Sequence, residues 1–104
     1  MRRELESLRD TLLEAGDSHS AGLVTGALAG SDECLRKFLA SDELWGGAGS
    51  IADQAGSSPS RDDSKRAIEA ALVSLGETQI AAGVVNPRTA TWVDVFRSWQ
   101  RDGI

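Results

Sequence analysis

Residues that do chemistry are scarce in this chain. Among its 104 residues there is one cysteine, Cys34, one histidine, His19, and no tyrosine. A single cysteine excludes a disulfide within the chain and leaves no set of thiolates for a zinc site. The same scarcity thins the supply of general acids, bases and nucleophiles. Long apolar runs are missing too, and nothing approaches the ~20 residues a membrane-spanning helix needs. Arg2 and Arg3 begin as a signal peptide would, but Glu4, Glu6 and Asp10 stand where its apolar core should follow. The expectation is a cytoplasmic protein with no targeting segment. Basic charge is also short: 11 Lys and Arg face 16 Asp and Glu, a formal net charge of −5. A nucleic-acid binder needs a basic face to displace counterions, and none is visible. The acidity equally disfavours an anionic membrane. It suits a protein partner of basic character.

What the chain does have is helical periodicity. Leu5, Leu8 and Leu12, with Leu13 beside them, form one apolar stripe over residues 2–15, and Gly16 suits the left-handed position after a helix. The turn Asp17-Ser18-His19-Ser20 offers caps for a second helix reaching about Ala29. In it Gly22, Gly26 and Gly30 recur every four residues, which predicts a close approach to a neighbouring helix or to a second copy of the chain. Ser31 should cap a third helix with Cys34, Leu35, Phe38 and Leu39 buried. Ser50 and Asp53 have the spacing of a capping box, which predicts a short helix from Ile51 to about Ala55, ended by Gly56. After the linker at 57–60 a long helix covers about 61–82. Its stripe is Ala67, Ile68, Ala71, Leu72, Leu75, Gln79 and Ala82, with Gly76 as a kink or close crossing. Asn86-Pro87 fits a cap followed by the first helical position of a last helix at 88–102, carrying Trp92, Val95, Phe96 and Trp99. Val84-Val85 is too short for a strand. The fold class expected is all-α: a single-domain bundle of four to five amphipathic helices with a glycine-rich corner at 44–50.

Three constellations are candidates for function. The loop Gly46, Gly47, Gly49 and Ser50 opens a helix, and backbone N–H groups there could hold an anion or nucleotide. The bland reading is a tight turn pegged by Trp45, because no Lys or Arg stands nearby and no P-loop or dinucleotide pattern is complete. Asp17, His19 and Cys34 would carry any enzyme, but sequence adjacency does not make a triad, and Cys34 reads more simply as a small buried residue. Glu4, Asp10, Glu14 and Asp17, with Asp42 and Glu43 beside the corner, form an acidic set that is either a solvated face or a docking surface. No catalytic residue, cofactor or metal set is assigned.

The run Leu44-Trp45-Gly46-Gly47-Ala48-Gly49-Ser50, followed by Asp53, resembles the Leu-Trp-Gly-Gly-x-Gly-Ser…Asp core of a family of small bacterial proteins of unknown function. Ala48 and Ile51-Ala52 depart from that family's pattern. The resemblance covers about ten residues. It implies a bacterial origin, which nine arginines against two lysines fit, and it implies no activity. The function expected is therefore a non-enzymatic acidic interaction domain of immunity or antitoxin type. Anion binding at the glycine-rich loop is the alternative.

Overall fold

A computed structural model of the chain describes residues 1–46, 50–57 and 63–102. Among them there is no strand, and the all-α bundle is as expected. The helical segments are α1 (Arg2–Glu14), α2 (Ser18–Ala29), α3 (Asp32–Leu39), α4 (Asp42–Trp45), α5 (Ile51–Ser57), α6 (Asp63–Ala82) and α7 (Thr89–Asp102). None is long and apolar enough to cross a membrane. The extra segment relative to the sequence reading is α4, a single turn too short to show periodicity. α5 also runs through Gly56 to Ser57.

The helix ends follow local chemistry. After both α1 and α6 the chain turns through a left-handed glycine, Gly16 at φ 84° and Gly83 at φ 74°. The amides beyond them donate back into the last turn: Asp17 to Leu12 O and Val84 to Gln79 O. Both ends are thus closed as Schellman motifs. Asp17, Ser31 and Ser50 cap the next helices by accepting from the amides of Ser20, Cys34 and Asp53. At α7 the cap is reciprocal. Arg88 N donates to Asn86 Oδ1, and Asn86 N donates to Thr89 Oγ1.

α6 is the spine, packed against α1, α5 and α7. Leu5, Leu8 and Leu12 of α1, Val24 of α2, Leu39 of α3, Leu72 and Leu75 of α6 and Phe96 of α7 are fully buried in one continuous core. Leu13 is not part of it and stands 54% exposed, because the buried stripe of α1 is narrower than the sequence reading allowed. Ala67 and Ala82, placed on the α6 stripe, are exposed, whereas Val73 and Glu69 are buried.

The glycines divide into two kinds. Gly76 is a crossing point. A Cβ there would collide with Val93 Cγ2 and lie 3.3 Å from the Trp45 ring. Gly22 and Gly26 are exposed, with no atom within 4 Å of where a Cβ would stand. The close approach expected of them within the chain is not made, because α2 packs through its opposite face, Ser20, Ala21, Val24 and Ala27. Gly76→Ala should destabilise the protein by about 1–3 kcal/mol through overpacking against Val93. Urea denaturation checks this, and adding Val93→Ala should recover part of the loss.

Candidate functional site

The corner at residues 39–50 is where the sequence concentrates its unusual residues, and its geometry is set by Trp45. The indole is fully buried, which contributes on the order of 5 kcal/mol of transfer free energy as an upper bound. Its Nε1 donates to Gln79 Oε1 at 3.0 Å. Gln79 is itself fully buried and donates through Nε2 to Leu39 O and Val84 O, both at 2.8 Å. Trp92 Nε1 donates to Trp45 O at 3.0 Å. Asn86 donates through Nδ2 to Ala40 O and to Asp42 Oδ1, both at 3.0 Å. Two side-chain amides and two indoles thus fasten the α3–α4 corner to the α6–α7 junction. Each member of this polar cluster is satisfied, as burial demands.

The glycine-rich candidate loop is built into this corner. Gly46 is buried, and any side chain at this position would collide with Asp42. Ser50 is buried, and its Oγ accepts from Asp53 N at 3.0 Å, so Ser50 caps α5. Gly47 and Gly49 lie outside the described residues.

The acidic candidates do not form one set. Glu4 is half-buried and pairs with the amino terminus at 3.7 Å. Asp10 pairs with Arg9 at 3.1 Å. Asp17 is committed to the α2 cap and Asp42 to Asn86. Glu14 and Glu43 are exposed. On α1 the exposed residues Glu6, Asp10, Leu13 and Glu14 share one side by helical spacing. At the other end of α1, Arg2 donates to Asp32 at 2.8 Å and to Leu28 O at 3.0 Å. The Arg2 hydrogen bond, and then its charge, hold the Asp32 carboxyl below the usual range. Met1, Arg2, Asp32, Leu35, Arg36 and Leu39 line a shallow open groove there.

His19 and Cys34 are exposed, in the first turns of different helices. Burial of Cys34 was expected and does not occur. The α3 face that packs inward is Leu35 and Leu39, with Phe38 half-buried, and position 34 falls outside it. The Cys34 thiol is held below its usual pKa by hydrogen bonds to Ser31, through the hydroxyl first and the backbone second. Lys37 adds attraction, and partial desolvation opposes both. Trp99 is half-buried, edge-on to Phe96 at 5.8 Å, with Lys65 Nζ 5.4 Å above its ring. Among the described residues no three His, Cys, Asp or Glu side chains gather to hold a metal.

The polar residue that sequence reading missed is Glu69. It is fully buried, and neither carboxyl oxygen has a hydrogen-bond partner. The available signal was composition. From Ala67 to Leu75 every residue is apolar except Glu69 and Ser74, so the carboxyl at 69 is flanked by apolar residues on either side. No protein-family model, curated protein or solved structure matches the chain.

Two outcomes follow from this geometry. Gln79→Leu strands the Trp45 indole N–H and the carbonyls of Leu39 and Val84, and should cost about 3 kcal/mol or more in urea denaturation. Alkylation of Cys34 by iodoacetamide, followed against pH, should have its midpoint below the ~8.5 of an ordinary thiol. Ser31→Ala should move that midpoint up.

Proposed function

We propose that this chain is a cytoplasmic, non-enzymatic interaction domain that docks a basic protein partner, in the manner of immunity and antitoxin proteins. The observation that carries the reading is the outer face of α1. Leu13 is 54% exposed there, with Glu6, Asp10 and Glu14 around it by helical spacing. An exposed apolar side chain ringed by carboxylates matches the anatomy of a binding patch, with an anchor that loses water and a charged rim that steers the partner. The net charge of −5 acts in the same direction at longer range. Glu43 extends the acidic character to the corner. Glu4, Asp17 and Asp42, included in the set on sequence grounds, hold internal contacts and contribute to the field more than to direct contact, and Asp10 reaches a partner only in exchange for its surface pair with Arg9. The likeness of residues 44–53 to small bacterial proteins is compatible with this setting.

The alternative, an anion held at the glycine-rich loop, has less behind it. Ser50 Oγ is occupied by the α5 cap, and the Asp42 side chain packs over Gly46. A carboxylate at that position repels an anion.

Affinity capture from the native cell, at low and at high ionic strength, tests the docking reading. The expected result is a basic partner whose retention falls by about tenfold or more at high salt. The triple variant Glu6→Gln, Leu13→Ser, Glu14→Gln should lose that partner while keeping its helical circular dichroism. A partner held equally by the variant and in high salt, or no partner, would overturn the proposal.

A further inference from the structure

Glu69 is a buried carboxyl that no donor reaches, and its position in the fold gives it a role. On α6, positions 65, 69, 73 and 76 run along one line of the helix surface. Both ends of that line meet α7. Lys65 Nζ stands 5.4 Å over the Trp99 ring, and Gly76 receives Val93. Glu69 therefore lies between these two points along α6, on the side of the helix that meets α7.

The charges around it do not complete it. Lys65 and Arg66, on its own helix, act on its carboxyl. On α7, Asp94, Arg97, Arg101 and Asp102 are all exposed. Arg97 pairs with Glu77 at 2.9 Å and Asp94 at 4.0 Å, and Arg101 pairs with Asp102 at 3.4 Å. α5 carries Asp53 in its first turn. α1 brings Leu5, Leu8 and Leu12 to the core. Its half-buried charges, Glu4 and Arg9, pair with the amino terminus and Asp10. No donor from any of these helices reaches Glu69. An ionised carboxylate without donors is far more costly to bury than the neutral acid.

We propose that Glu69 is a proton-operated latch between α6 and α7. With the carboxyl neutral, the N-terminal half of α6 closes on the C-terminal turns of α7 as observed. With it charged, this end of the bundle opens so that water reaches the carboxylate. The opposite end stays shut, because Gln79, Trp45 and Trp92 are tied there by hydrogen bonds that do not titrate in this range. Burial pushes the Glu69 pKa up, and Lys65 and then Arg66 pull it part of the way back. Since the folded value lies above the unfolded one, the stabilisation is fully present below the ordinary glutamate pKa. It is lost as pH rises through the pKa of Glu69 in the folded protein.

Carboxyl carbon NMR and hydrogen exchange on the full chain, from about pH 4 to about pH 8, test the latch. Glu69 should titrate above the usual glutamate range. Across that titration, protection factors should fall by about tenfold over residues 66–72 and 96–101 while holding over 39–45 and 84–92. Glu69→Gln cannot ionise and should keep acid-form protection throughout. Glu69→Leu serves the same purpose if the glutamine variant does not fold, and the wild-type titration decides alone if neither does. Titration together with the other glutamates would overturn the latch. So would an equal fall in the non-ionisable variants, or a fall spread evenly over the bundle.

Discussion

The carboxamide of Gln79 is the constraint on which this bundle depends. It is the middle of a chain of bonds from the Trp45 indole to the carbonyls of Leu39 and Val84. A buried amide of this kind is unforgiving, since each unmet group costs about 1–3 kcal/mol. It is also directional, because the indole can only donate and so must face Oε1. An apolar side chain of similar volume would fill the space but would accept several arrangements of the corner. Gln79 accepts one. The Asn86 amide repeats the device at the next carbonyl, tying Ala40 and Asp42 to the start of α7. Hydrophobic burial holds the helices together, and these two amides fix how they meet.

This division explains which parts of the structure were legible in the sequence. Helix ends are local, and most of their signals read correctly, Gly56 inside α5 being the exception. Gly16, Gly83, Ser31, Ser50 and Asn86 all act where spacing placed them. The buried stripe of α1 was legible for the same reason. α4 was not, because four residues are too few to show a period. Tertiary partners were not legible either. Gly22, Gly26 and Gly76 are the same residue in the same kind of element, yet only Gly76 meets a neighbour. Which face of α2 turned inward depended on α1, and no pattern within α2 states that. Cys34 was misplaced because a one-position shift around α3 separates the buried face from the exposed one. Glu69 was passed over because the stripe through Ile68, Ala71, Leu72 and Leu75 leaves it off the core face, while the neighbours of α6 bury that side too.

The candidate site divided along the same line. Residue type alone could not tell an acid that caps or clasps from an acid that faces water. Asp17 and Asp42 have structural partners, while Glu14 and Glu43 are exposed. What draws attention on α1 is an exposed leucine among carboxylates, a leucine that apolar periodicity alone assigns to the core.

The bonds that close the corner also bear on how the chain reaches this state. They join residues 34, 40, 44, 46 and 47 positions apart. α1 and α2 are neighbours in sequence and pack against each other, so they can associate early, when loop closure costs little. Trp45 cannot be shielded until α6 has been made and folded back across the intervening forty or so residues. During synthesis, the largest buried side chain of the N-terminal half therefore waits for a partner made later. The corner that most defines the finished bundle closes only when both α6 and α7 are present to complete its bonds.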